Sequence, residues 1–145
     1  MTTYGSRGRT LEHTIKIMLD RYRSFGIFCQ RNYPERSSSG AFIAQHGFDF
    51  EILHQGKFYA FDAKECNSKT WNLKTNAKLH QVQALRTVED NGGEGFFLVF
   101  FAPEKKLVKL SATKIAQAMK ENKSSLKSSD GIETSLNILN IKKEQ

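Results

Sequence analysis

Apolar residues recur at helical spacing near the start of the chain, where Leu11, Ile15, Met18, Leu19, Tyr22 and Phe25 fall on one side of a 3.6-residue repeat. Gly26 closes that run and Thr10 stands where an N-cap hydroxyl would sit. Residues 27–30 read as a short strand. Phe48-Asp49-Phe50-Glu51-Ile52 alternates apolar and acidic positions, so a strand here places Phe48, Phe50 and Ile52 on one face. His54-Gln55-Gly56-Lys57 reads as a turn, and residues 58–64 as the returning strand of a hairpin. Leu79, Val82, Leu85 and Val88 make a second helical stripe, opened by Thr75 or Asn76 and stopped by Asn91-Gly92-Gly93. The run at 96–101 is apolar on both faces, as in a strand covered from both sides. A short strand at 107–110 and a helix from about 112 to 121, capped by Ser111, follow. Residues 34–45, with Ser37-Ser38-Ser39-Gly40, read as a loop or flexible excursion.

The order α-β-β-β-α-β, with additions, predicts an α/β (α+β) architecture: a mixed sheet carrying helices. One domain is expected over residues 1–121. Residues 122–145 form a tail that opens on the Ser/Lys-rich run 122–129; within it 136–141 is either an edge strand or poorly ordered. At 145 residues and 16.5 kDa the chain has room for one real core.

Charge adds a partner class. Lys plus Arg is 22 against 15 for Asp plus Glu, a formal +7 with a pI near 9.5. That favours a polyanion, most commonly nucleic acid, over the alternative that the charge only keeps the protein dispersed. No stretch approaches the roughly 20 apolar residues of a membrane span. Met1 to Arg7 lacks an apolar signal region, and Cys29 and Cys66 lie far apart without a Cys-x-x-Cys. A disulfide scaffold, a zinc site and a membrane protein are thereby disfavoured; a reducing cytoplasm is the expected compartment.

The hairpin carries the candidate chemistry. If Gln55-Gly56 is a two-residue turn, positions summing to 111 face each other, which sets Asp49 opposite Asp62. Lys64 points the same way as Asp62. Like charges directly opposite destabilise a sheet unless a cation lies between them, and a hard divalent ion held by carboxylate oxygens suits that place. The other reading is an outer face where Asp49, Glu51, Asp62 and Lys64 form ordinary surface pairs. An acid-x-Lys triplet means little alone, since about 1.6 are expected by chance in such a composition. Glu12 borders the stripe of the first helix, placed either to reach the same site or to favour the helix dipole. Gln81 lies beside the second stripe, as a site residue or as a boundary residue.

Taken together, Arg7-Gly8-Arg9-Thr10-Leu11-Glu12, then Asp49, then Phe61-Asp62-Ala63-Lys64-Glu65, and later His80-Gln81 before Gly95-Phe96-Phe97-Leu98-Val99, resemble the RecU family of Holliday junction resolvases. The resemblance spans about residues 5–110. It implies a restriction-endonuclease-like PD-(D/E)XK fold with an αβββαβ core. It also implies Asp49 and Asp62 as ligands of Mg²⁺ or Mn²⁺, Lys64 as the catalytic lysine, Glu12 as an acid that holds or positions the metal, and Gln81 as the helix glutamine of the site. Arg7 and Arg9 match the basic segment at the substrate. The family acts as a homodimer that nicks two symmetric strands of a four-way DNA junction in recombination and repair. Two departures are visible. Asp62 stands where the family usually has Glu, drawing the carboxylate back by roughly 1.5 Å, one C–C bond. The excursion that forms a stalk in the family is cut to 34–45, which brings the chain nearer in size to archaeal Hjc resolvases or small phage nucleases.

The expected chemistry is metal-dependent phosphodiester hydrolysis, with a backbone carbonyl near Ala63 as a further ligand and Lys64 orienting water or offsetting phosphate charge. Arg31, Arg36, Lys69, Lys74 and Lys78, with Arg7 and Arg9, are candidate phosphate contacts. Trp71 and Tyr33 either stack on bases or, for Trp71, pack on the sheet. The rivals are a nuclease for flap, nicked or linear duplex DNA, a non-catalytic DNA-binding module of the same fold, and a protein-interaction domain. The expected place is the cytoplasm, at the nucleoid of a bacterial or phage-infected cell.

Overall fold

Gln55 and Gly56 both adopt positive φ, 50° and 80°, the pair of left-handed residues that a tight hairpin turn requires. That turn joins β4 (Phe50–His54) to β5 (Lys57–Cys66) with Phe50 opposite Phe61 and His54 opposite Lys57, the register expected from the sequence. The computed structural model describes residues 4–33, 35–36, 42–44 and 47–142, with side chains from 10–33 and 47–142.

Around the hairpin lie α1 (Tyr4–Ser24), β1 (Phe28–Arg31), β6 (Thr70–Asn72), α2 (Leu73–Asn76), α3 (Leu79–Asp90), β7 (Glu94–Phe101), β8 (Lys106–Ser111), α4 (Ala112–Lys120), β9 (Ser125–Lys127) and β10 (Ile132–Thr134). Two short strands, β2 (Glu35–Arg36) and β3 (Phe42–Ala44), complete the set. The main sheet has six strands in the order β1-β4-β5-β7-β8-β10, antiparallel except for the parallel β5–β7 pair. The parallel step exists because α3 crosses between those two strands. The core succession α1-β1-β4-β5-α3-β7 is the αβββαβ order expected above.

Each sheet face buries its own core. On one, Leu11, Ile15, Met18, Leu19 and Tyr22 of α1 meet Phe50, Phe61 and Phe96. Phe61 stacks on Phe50 at 5.2 Å and on Phe96 at 5.1 Å, so the ring row ties three adjacent strands. On the other, Ala60, Phe97, Val99 and Phe101 pack under Val82 and Leu85 of α3 and Ile115 of α4. No described helix is long and apolar enough to cross a membrane.

Several local readings change. Helix α1 starts at Tyr4, so Thr10 lies inside it and its carbonyl accepts from Thr14 Oγ1 at 2.7 Å; polar residues extend a helix beyond the stripe that anchors it. Phe25 stands past the end of α1 and is 40% exposed. The second helical stretch is two helices. Asn72, not Thr75 or Asn76, caps α2 by accepting from the Thr75 N–H, and the break at 77–78 resets the phase, burying Ala77 and leaving Leu79 60% exposed. Phe48 precedes β4, escapes its alternation and packs edge-on against Phe58 at 6.3 Å, on the face opposite Phe50.

The excursion carries β2 and β3 paired antiparallel, a small ribbon in place of the expected loop. Pro34, residues 37–41, Gln45 and His46 lie outside the described residues. In the segment read as a tail, β9 pairs with β6, setting Leu126 opposite Trp71, and β10 forms the sheet edge on β8. The edge strand is therefore 132–134 and not 136–141. Residues 136–141 instead lay Ile138 against the α1 core, where Tyr22 Oη donates to Asn137 Oδ1 and accepts from the Leu139 N–H at 3.1 Å.

Candidate active site

Strand β5 runs past the end of β4: their ladder stops at Phe50–Phe61, so Asp62, Ala63 and Lys64 lie beyond it, with β7 on their other side. Asp49 sits at this exit, just before β4. Its backbone N–H donates to Asp62 Oδ1 at 2.7 Å, while the Asn32 N–H donates to the Asp49 carbonyl, also at 2.7 Å, and secures the segment to β1. The two acids thus come together just beyond the ladder, through the Asp49 backbone and not as a directly opposed strand pair, and Asp62 is fully buried. Because Asp62 aligns with Phe97 in the parallel register, it faces the core under α3; Phe61 and Ala63 face α1.

Burial, and secondly the charge of Asp49, push the Asp62 carboxyl up to about 7; the Asp49 N–H, Lys64 and Arg31 pull the other way. Asp62 Oδ2 is buried with no hydrogen-bond partner, and so is Gln81 Oε1 on α3. A buried carboxylate oxygen without a donor is what a hard cation would satisfy. Among the described residues no group of three or more His, Cys, Asp or Glu side chains forms a metal cluster. A divalent ion here would therefore use two carboxylates, with amide, carbonyl and water oxygens completing its shell. Magnesium accepts such a set.

Gly47 makes the approach of α3 possible: a Cβ there would stand 2.1 Å from Ala84 Cβ, one helical turn after Gln81. Gly47→Ala is expected to lower Tm by roughly 3–8 °C, because an overlap of this kind costs about 1–3 kcal/mol. Adding Ala84→Gly should recover part of that loss, since it removes the clashing atom; thermal denaturation of the single and double variants checks both. An unchanged single variant would show that the segment and helix are not held this closely.

The remaining candidates separate by environment. Lys64 is half-buried on the Asp62 face. Glu12 faces α1's side of the sheet and meets Arg31, whose Nη1 lies 3.0 Å from Glu12 Oε2 at an angle that is not a hydrogen bond. Arg31, expected as an outward phosphate contact, has a side chain only 18% exposed and lies over the rings of Tyr33 and Phe50. Lys69, Lys74 and Lys78 are exposed along the link from β5 to α3, Lys78 one turn before Gln81. Arg7 and Arg9 lie in the first turns of α1 and Arg36 in β2, their side chains outside the described residues. Trp71 is fully buried and tilted on Phe97 at 5.3 Å, which removes it as a base-stacking platform; Tyr33 is 58% exposed. Glu65 was not singled out from sequence, yet it is a second acid of β5 that is buried. The alternation of the strand was the available signal, because it turns Glu65 away from Lys64 toward α1 and a cavity of about 330 Å³ that Thr10, Leu11 and Phe100 also line.

The family described as "Recombination protein U" (RecU) matches residues 6–145. The Holliday junction resolvase RecU of Mycoplasmopsis pulmonis is 30% identical over 121 residues, 81% of this chain and 76% of that protein. That of Geobacillus sp. (strain WCH70) is 27% identical over 136 residues, 83% of this chain and 68% of that protein. Among solved structures, Archaeoglobus fulgidus Hjc, a Holliday junction resolvase, aligns with a TM-score of 0.53 at 15% identity, covering 84% of this chain and 94% of its own. That likeness gives the fold, restriction-endonuclease-like.

Proposed function

The chain belongs to the RecU family, and from that premise we propose that it is a divalent-metal-dependent endonuclease that resolves four-way DNA junctions. The observation that carries the reading is an acid pair with one buried member: Asp62 held by the Asp49 N–H, its second oxygen left without a partner, and Lys64 two residues on along the same face.

In this reading Asp49, Asp62 and the Ala63 carbonyl hold Mg²⁺ or Mn²⁺, with Gln81 Oε1 completing or orienting the set. When bound, such a cation polarises a phosphate and lowers the pKa of a water. The protein's own groups do the rest. Asp62, enclosed by the sheet and α3, keeps its carboxylate dry, so its attraction for a cation is little screened. Lys64 supplies a fixed positive charge that orients the attacking water and offsets the negative charge growing on the phosphate. Glu12 acts from α1 as the acid that positions the site.

Lys69, Lys74 and Lys78 provide the phosphate track toward α3. Replacing Lys74 and Lys78 by Ala is expected to weaken junction binding without changing which strands are cut. It should also lower the slope of log affinity against log salt by about two, at roughly 0.9 per phosphate contact. Binding titrations at several salt concentrations give that slope; an unchanged slope would remove these lysines from the interface. Two symmetric cuts need two sites, so the working form is a homodimer, acting on DNA in the cytoplasm at the nucleoid.

The deciding experiment is cleavage of a labelled four-way junction beside flap, nicked and linear duplexes, with Mg²⁺, Mn²⁺ or EDTA. Paired symmetric nicks restricted to the junction and lost in EDTA are expected. The small β2–β3 ribbon favours one second reading, a nuclease with less dependence on junction shape, and equal cutting of linear duplex would select it. Junction binding with no cut strand under any metal would leave a DNA-binding module of the same fold.

A further inference from the structure

We propose that Arg31 is a positioning residue of the acid site, holding Glu12 in place and acting as the counter-charge that keeps the carboxylates together before a divalent cation binds. The proposal rests on reading Asp49 and Asp62 as the cation-holding pair.

Arg31 is the last residue of β1 and faces Phe50, the first residue of β4, so its Cα is one position from the acid pair along the sheet. The Asn32 N–H to the Asp49 carbonyl continues the same contact. From there the side chain turns inward. Its guanidinium carbon stands 4.9 Å from the Tyr33 ring centre and 5.1 Å from that of Phe50, close enough for cation–π attraction. Its Nη1 reaches Glu12 at 3.0 Å, and both Nε and Nη1 are buried without a hydrogen bond.

An arginine built to grip the phosphate backbone keeps its donor fork open to solvent. Arg31 instead spends its exposure on two rings and one carboxylate. The burial is tolerable because negative charge surrounds it: Glu12 is in contact, and Arg31 is one of the charges that favour ionised Asp62. A fixed cation in contact with Glu12 whose charge also favours ionised Asp62 competes with a divalent ion for the field of that carboxylate. It therefore weakens divalent binding while holding the empty site in shape.

Thermal denaturation of the DNA-free protein, titrated with Mn²⁺, tests this. For Arg31→Gln the Mn²⁺ concentration that half-saturates the Tm shift should be lower than in wild type by about fivefold, the low end of typical coupling between sites. Arg31→Lys, which keeps the charge, should stay near the wild-type midpoint. If the Gln variant does not fold, Arg31→Met, which retains the stem packed on the rings, should show the same shift. A wild-type midpoint in the neutral variants overturns the proposal. So does a wild-type midpoint joined to weaker junction binding and a salt slope lower by about one, which would make Arg31 a phosphate contact. A wild-type Mn²⁺ response that Asp62→Asn leaves intact would overturn the cation-pair reading itself, a failure distinct from that of Arg31.

Discussion

Asp62→Asn is expected to abolish strand cleavage and, at the same time, to stabilise the metal-free protein at alkaline pH. The first effect follows from removing one of two charged oxygen donors; a loss of at least about 10³-fold in rate is the scale for deleting a central catalytic group. The second follows from the position of the carboxyl. In the fold it holds its proton up to about 7, against 3.8 for the ordinary group. Between those values the folded protein binds a proton that the unfolded chain has released, so stability falls as pH rises through the window. Above it the whole penalty is present, on the order of 3–4 kcal/mol from a shift of about three units. Asparagine keeps an oxygen for the Asp49 N–H and carries no charge to bury. In EDTA at pH 8 the variant should melt roughly 5–10 °C above wild type, and at pH 4 the two should nearly coincide. A variant less stable at pH 8 would mean that Lys64 and Arg31 outweigh the cost of burying ionised Asp62 in the resting protein.

Lys64→Met should separate chemistry from binding. The side chain is half-buried on the Asp62 face and its charge favours ionised Asp62. Removing it takes away the positive group closest in sequence to the acid pair. Cleavage should fall by about 10²–10³-fold, the usual scale for losing one preorganised charge at a phosphate or oxyanion. Junction affinity in Ca²⁺, measured at fixed salt, should change less than about threefold, the loss of one phosphate contact at most. Lys64→Arg is not expected to restore the rate, because a broad planar fork does not replace a compact ammonium. Equal losses of rate and affinity would make Lys64 a DNA anchor instead.

Much of the site could be read in one dimension because it lies on a hairpin. A two-residue turn sets the pairing of the residues that follow, so Gln55-Gly56 fixed the ladder as far as Phe50 opposite Phe61, one position short of Asp49 and Asp62, and put Lys64 on the side of Asp62. The core faces of α1 and β7 followed from period as well, since helices and strands repeat on their own geometry. Errors gathered where an element stops. Phe48 left the alternation because the ladder begins at Phe50, and Leu79 left its stripe because the helix breaks at 77–78. Pattern does not carry through a break, because the chain rotates there by an amount that its neighbours set.

Contacts between distant segments were beyond reach of such rules. Nothing local turns Arg31 inward; the rings of Tyr33 and Phe50 and the carboxylate of Glu12 do so only after α1 has packed across β1. The last strands were equally hidden, since Ser125–Lys127 is a strand only because Thr70–Asn72 offers it an edge, and Ile132–Thr134 only because β8 does. Local periodicity and turn chemistry, which act within a few residues, determined most of the elements and the hairpin register. Burial of Asp62, the partnerless oxygens of Asp62 and Gln81 and the commitment of Arg31 were decided by tertiary packing, because solvent exclusion and charge proximity depend on segments that meet only in the folded chain.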